Sequence, residues 1–305
     1  MKLNEGVVDI IGHAQLISLV VARADELGLP NTKPVVLNQG ANLILHLTPH
    51  PVVARLATVM SEVDEQAAFL SASRELHIAE HLRDRGVAAL QPTALADAGP
   101  HCVGGVWMTL WEYVPLTELP EPTPSEALAR VTALSKALAD YPGDLPALGV
   151  WERIRLAAMR LQSNPDCRVQ ALLREFVQTD RRLRQEQPLL PCHGDGHRRN
   201  LMASPRGWLW TDFEDTCLMP AGWDMASYIA NSALFQGFAH PTVGYFLAQA
   251  TTTLAPNAVR LVLTARLLMS VLGNLDSALA GNGDLEFATR QLALAESYLE
   301  QVAQL

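Results

Sequence analysis

Residues 192–218 read "CHGDGHRRNLMASPRGWLWTDFEDTCL", and three of them, Asp195, Asn200 and Asp212, stand at spacings that chemistry could use. Asn200-Leu201-Met202 can begin a strand, "ASPRG" is turn chemistry, and Trp208 to Thr211 can return antiparallel to deliver Asp212. Asn200 and Asp212 are equally far from Arg206 in the turn, so a hairpin brings the two side by side. An amide oxygen and a carboxylate at the open end of a hairpin are hard donors suited to Mg²⁺, which takes few protein ligands and shares the rest with phosphates and water. Asp195 precedes Asn200 in an H-x-D-x-x-x-x-N frame, where a loop can hold its carboxylate beside the metal without ligating it. That is the position of a base. The plainer use of all three residues is to cap turns, because Asp and Asn bond readily to nearby backbone.

The elements that must position these groups change texture along the chain. "PVVLNQGANLILHL", "PVVARLA" and "VGGVWMTLWEYV" are β-branched or apolar runs bounded by Gly, Pro and Asn, which suits strands and hairpins. Between the second and third lies "EVDEQAAFLSASRELHIAEHLRDRG", whose Phe69, Leu70, Leu76, Ile78 and Leu82, with Gly86 at the end, suit a helix. After the proline-rich "VPLTELPEP" the chain turns helical. Thr123-Pro124-Ser125-Glu126 sets a cap, a first-turn proline and a capping-box glutamate in order. "LVLTARLLMSVL" and "FATRQLALAESYLEQV" carry the helical pattern to the end. The expected class is α+β, with a small β-rich lobe, a linker near 115–123 and a larger α-rich lobe. Trp208 and Trp210 are expected in the core.

Composition excludes several functions. With 49% hydrophobic and 18% charged residues in 305, the chain is an ordinary globular one, long enough for one large or two modest domains with a cleft. Cys102, Cys167, Cys192 and Cys217 show no C-x-x-C spacing, which points to reduced cytoplasmic thiols rather than a zinc site or a disulfide framework. A net charge of −9 argues against nucleic acid as a partner. The apolar "VVDIIGHAQLISLVVARA" is interrupted by Asp9 and His13; Val8, Ile11, Leu16, Leu19 and Val20 recur near helical spacing, and Gly28 and Pro30 end the pattern. It reads as an amphipathic helix rather than a signal peptide. No uninterrupted apolar run of membrane-spanning length is present, so no membrane partner is expected. Oligomeric state is not legible.

H-x-D-x-x-x-x-N followed by "DFED" and then "PAGWDMA" resembles the catalytic and metal-binding loops of the aminoglycoside phosphotransferase and choline kinase family, relatives of the protein kinases. The resemblance implies a bilobal protein-kinase-like fold, with residues 1–114 as the nucleotide-binding lobe and its leading helix, and 115–305 as the catalytic, substrate-binding lobe. It covers roughly residues 34–235. It implies transfer of the γ-phosphoryl group of ATP, with Mg²⁺, to a hydroxyl of a small molecule. Asp195 takes the role of base or nucleophile-orienting group, and Asn200 and Asp212 that of metal ligands. Gly40 and Asn42 stand where the family has a nucleotide-covering hairpin, although the full G-x-G-x-x-G is absent. Arg55 of "VVARLA" takes the phosphate-binding place, Glu75 of "SRELHIAEHL" that of its partner acid in preference to Glu65, and Glu112 and Val114 of "MTLWEYVP" present backbone to adenine. His193 and Asp224 brace the catalytic loop.

Neighbouring residues carry plainer readings. His197 is expected to bond a backbone carbonyl, and Arg198 and Arg199 to be solvated or paired to acids. Glu214 and Asp215 divide evenly between a role near the metal and loop solvation. Ser135 stands where relatives show a histidine and Leu116 where a glycine is common, and neither is expected to touch the chemistry. "DFE" in place of "DFG" argues against a protein-kinase activation switch. The rival functions are a catalytically idle pseudokinase, a protein kinase of related fold, disfavoured by the missing A-P-E segment, and a metal-dependent phosphohydrolase, for which His-rich ligands are missing. The acceptor is not legible.

Overall fold

A computed structural model describes residues 12–40, 42–57 and 65–305. The chain divides into two compact units, Met1–Leu119 with Met202–Glu214, and Pro120–Leu201 with Asp215–Leu305.

The first unit is built on a sheet of order β1-β2-β3-β5-β4, antiparallel throughout. Its strands are β1 (Lys33–Gln39), β2 (Asn42–Thr48), β3 (Val52–Ala57), β4 (His101–Val103) and β5 (Val106–Glu112). Burial alternates residue by residue along β2 and β3, so Leu43, Leu45, Leu47, Val52, Ala54 and Leu56 share one buried face. Helix α1 (His13–Glu26) closes that face with Leu16, Val20 and Ala24. Of the residues expected in this leading helix, Val8, Asp9 and Ile11 lie outside the described residues, and Leu19 stays exposed. The alternation that sends Ala54 and Leu56 into this core sends Arg55 to the other face. There lies α2 (Glu65–Asp84), which packs on β5; Phe69 meets Trp107 edge-on at 5.0 Å. The inward stripe of α2 holds Glu75, Leu76, Ile78, Ala79 and Leu82, so an acid occupies a core position of the helix.

Strands β7 (Leu201–Ser204) and β8 (Gly207–Trp210) form the hairpin expected from "ASPRG". A reading by contiguous stretches assigns the hairpin to the C-terminal lobe, but most of it belongs to the first unit. Trp210 bonds the backbone of Ala88 and Leu90, and Thr117 N donates to Ala203 O. Trp208 and Trp210 are buried, as expected.

The second unit is helical: α3 (Pro124–Leu138), α4 (Gly149–Arg160), α5 (Cys167–Leu183), α6 (Trp223–Gln236), α7 (Pro241–Thr253), α8 (Pro256–Leu279) and α9 (Leu285–Ala303). The capping box forms at Thr123, whose hydroxyl accepts from Glu126 N while Glu126 Oε2 accepts from Thr123 N at 2.8 Å. Helix α8 is the hub, packed against α4 to α7 and α9. By length and composition it could cross a bilayer, with a mean hydropathy of 1.5, but 67% of that window is buried inside the protein. Two short strands, β6 (Leu190–Cys192) and β9 (Cys217–Met219), pair antiparallel and launch the loop that carries Asp195.

Candidate active site

In the first unit, chemistry converges on Arg55. Its Nη1 donates to Glu75 Oε2 at 2.5 Å, and its Nη2 donates to Glu214 and, at 3.5 Å, to Asp212 Oδ1. One guanidinium therefore serves three carboxylates. Burial strips water from Glu75 and pushes its carboxyl up to about 7; Arg55 pulls it down, while Glu214 and Asp212 push it further up. Arg55, buried as well, is held charged above its ordinary range by the same three acids. Asp212 itself sits at φ 68°, a left-handed conformation that Asp tolerates better than most residues.

In the second unit, the loop after β6 is shaped from below by Asp224, 2% exposed on the first turn of α6. Its Oδ2 accepts from His193 N at 3.0 Å and its Oδ1 from Gly194 N at 3.1 Å. Trp223 Nε1 donates to Gly194 O at 2.8 Å. Burial pushes the Asp224 carboxyl up, against His193 and the two amides, which pull it down. Gly194 has φ 83°, and a Cβ there would lie 2.2 Å from Asp215 O, so the chain can pass only with glycine.

The loop presents Asp195, with its side chain 26% exposed. Arg266 Nη2 donates to its Oδ1 at 2.7 Å, His197 Nε2 lies 3.3 Å from its Oδ2, and Asn200 Nδ2 donates to its backbone carbonyl at 2.9 Å. Burial alone would raise the Asp195 carboxyl; Arg266 first and then His197 overcome it and hold it well below the usual carboxylate range. Asn200 is 9% exposed and ends the 3₁₀ turn Arg198–Asn200.

The sequence-predicted residues thus fall into groups: Arg55, Glu75 and Asp212 meet in one unit; Asp195 and Asn200, and His193 and Asp224, meet in the other. Glu75 rather than Glu65 is the partner of Arg55. Gly40 N bonds Asn42 O at 3.2 Å across the β1–β2 turn. Glu112 N is already spent on Gln91 O at 2.9 Å, and its carboxylate accepts from Arg206 at 2.5 Å. Val114, just past β5, keeps its backbone groups without a partner among the described residues.

Other expectations are corrected. His197 bonds the Asp195 carboxylate rather than a backbone carbonyl, because the 3₁₀ turn folds the loop back on itself. Ser135 does approach the loop support: its hydroxyl is 3.5 Å from Asp224 Oδ2. Arg198 pairs with Glu121 at 2.7 Å, Arg199 lies over the Phe235 ring at 4.7 Å, and Asp215 pairs with Arg153 at 2.6 Å. Arg266 was not singled out from the sequence. The signal was a lone arginine inside the apolar run "LVLTARLLMSVL".

The sheet with its inward-facing acid helix, followed by a helical unit bearing the H-x-D loop, is the protein-kinase-like fold. Choline kinase LicA from Streptococcus pneumoniae superposes with a TM-score of 0.68 at 13% identity, over 94% of this chain and 99% of that one. Amicoumacin kinase hAmiN in complex with AMP-PNP, Ca²⁺ and Ami gives 0.68 at 14% identity, over 95% and 96%. A thermostable mutant of the aminoglycoside phosphotransferase APH(4)-Ia gives 0.64 at 13%, over 92% and 98%. Similarity at these identities establishes the fold alone. No curated protein sequence matches the chain. Residues 45–262 match the profile described as "Phosphotransferase enzyme family", well over half of the chain, and the protein belongs to that family.

Proposed function

We propose that the protein transfers the γ-phosphoryl group of ATP, with Mg²⁺, to a hydroxyl of a small molecule. The observation that carries this reading is the charge imbalance at Arg55, where three carboxylates share one guanidinium. Such an excess of negative charge on hard oxygen donors fits a divalent cation. Among the described residues no cluster of three or more His, Cys, Asp or Glu makes a ready cage, which fits a metal that takes few protein ligands and relies on nucleotide oxygens.

Asn200 and Asp212 would hold Mg²⁺, which supplies neutralisation of phosphate charge as the bridging bond breaks. Arg55, kept in line by Glu75, offsets further phosphate charge. Gly40 and Asn42 cover the nucleotide, and the free backbone groups of Val114, with Glu112 beside them, meet the adenine. Asp195 orients the acceptor hydroxyl and takes its proton; His193 and Asp224 hold the loop that carries it. Little covalent chemistry is asked of the protein, so positioning and charge do the work. The scattered cysteines support a cytoplasmic location.

The test is ADP release from Mg·ATP across aminoglycosides, other antibiotics, choline, ethanolamine and sugars, beside Asp195→Ala. Acceptor-dependent turnover lost in the variant is expected. Mg·ATP binding without turnover would favour an idle scaffold, and no Mg·ATP binding at all would end the reading.

A further inference from the structure

Helix α8 is the most thoroughly buried helix of the second unit, and at its middle sits a guanidinium. Val262, Leu263, Ala265, Leu267, Leu268 and Met269 are each at most 6% exposed, and Arg266 among them is 2% exposed. Burying a guanidinium is costly unless its donors are matched. Here they are not: Nη2 donates to Asp195 Oδ1 at 2.7 Å, Nη1 faces Met269 Sδ at 2.9 Å, and Nε has no partner. Sulfur is a weak acceptor. Asp195 is therefore the one strong acceptor this cation has among the described residues. A methionine or leucine would pack the same stripe with no charge to desolvate, so fold stability does not account for the arginine.

The geometry at Asp195 accounts for it. A free aspartate carboxylate turns about its side-chain bonds and exposes either oxygen. Arg266 occupies Oδ1 at 2.7 Å, whereas Oδ2 has only longer contacts, 3.3 Å to His197 Nε2 and 3.5 Å to Asn200 Nδ2. We infer that Arg266 is a positioning residue for phosphoryl transfer: it pins Oδ1 of Asp195 from the core of α8 and leaves Oδ2 as the oxygen that receives the acceptor hydroxyl. This rests on the role given to Asp195 above.

The experiment compares Arg266→Met, Arg266→Lys and Arg266→Ala with the wild type, using Mg·ATP with water as acceptor, the slow hydrolysis in which water takes the phosphoryl group and ADP leaves. Arg266→Met is expected to lower kcat on the order of 100-fold while the KM for Mg·ATP stays within about threefold, because a misplaced reacting group costs turnover rather than nucleotide binding. Arg266→Lys restores a point charge and should recover most of the loss, and guanidinium ion added to Arg266→Ala should raise its kcat. A merely structural role predicts the opposite set: equal losses in Met and Lys, no response to guanidinium, and loss that follows the melting temperature. That set, or unchanged kcat in Arg266→Met, overturns the inference. A double-mutant cycle of Arg266→Met with Asp195→Asn, read by urea denaturation, needs no activity. Non-additive stability is expected, and additivity overturns the pairing. If the wild type released no ADP, the functional reading would fail while the cycle still decided the pairing.

Discussion

Glu75 gives a pH dependence with a definite sign. The folded protein holds its proton more tightly than the unfolded chain does, since burial raises the carboxyl from its ordinary 4.5 to about 7. A raised acid contributes stability that is fully present below the unfolded value and is lost as the pH rises through the folded one. At roughly 1.36 kcal/mol per pH unit, the loss between those limits is about 3 kcal/mol. The cause is a count of charges: Arg55 can satisfy one carboxylate fully, and it has three.

Glu75→Gln isolates this contribution, because glutamine is nearly isosteric with protonated glutamate and does not titrate. In protein free of nucleotide and metal, urea denaturation should give wild type and variant similar stability near pH 4.5. By pH 8 the variant should be the more stable, by up to about 3 kcal/mol, since only the wild type then holds a buried charge in excess. The variant should at the same time bind Mg·ATP more weakly, because Arg55 loses its fixed partner. Stability and function would move in opposite directions, as they do where an active site stores unfavourable charge. A variant less stable than the wild type at pH 8, with the same pH slope, would refute the reasoning. It would mean that the 2.5 Å bond to Arg55 outweighs burial and that Glu75 is an ordinary ionised acid.

Three further outcomes are expected. Asp195→Asn should lower acceptor-dependent kcat by about 10²–10⁴-fold with little change in Mg·ATP affinity measured by calorimetry; a matching loss of affinity would make Asp195 a nucleotide ligand instead. Gly194→Ala should destabilise by about 3 kcal/mol or more, combining a positive φ with a Cβ pressed 2.2 Å from Asp215 O, and should lower the melting temperature by roughly 6–12 °C; an unchanged transition would show that the loop can take another path. The groups that act most strongly on the Asp195 charge are Arg266, His197 and His193, with no carboxylate among them, so hydroxyl compounds that are neutral or anionic should exceed choline and aminoglycosides in kcat/KM by about tenfold or more; a cationic acceptor ranking first would contradict this.

How far the sequence carried depended on the range of the interactions involved. Periodicity located the sheet, α2 and the terminal helices, because alternation and the 3.6 repeat are local consequences of burial. Thr123 to Glu126 was legible for the same reason. The pairing of Arg55 with Glu75 was reached through an ordered motif, since the two are 20 residues apart on different elements and no local rule joins them. His197 was misread because the fold-back of a 3₁₀ turn onto Asp195 depends on backbone geometry that residue types do not dictate. Arg266 lies 71 positions from Asp195, and the contact exists only because α8 packs at the centre of the helical unit. A sequence can show that an arginine interrupts an apolar stripe; only the packing shows which group it answers.

The two units store charge with opposite sign. Around Arg55 the acids outnumber the base, and a buried carboxyl is driven to keep its proton. Around Asp195 the bases outnumber the acid, Arg266 is left with an unpartnered Nε, and the carboxylate is driven to give its proton up. Neither arrangement is what stability alone would select, because matched pairs or apolar side chains would cost less in both places. The first imbalance is relieved by a cation. The second keeps an aspartate ionised and aimed although burial opposes its charge, which is what a group needs if it is to meet a hydroxyl at neutral pH. The departures from optimal pairing therefore fall on Glu75, Asp212, Asp195 and Arg266, the residues to which phosphoryl transfer assigns separate tasks, and that coincidence is the strongest physical reason to treat them as one mechanism.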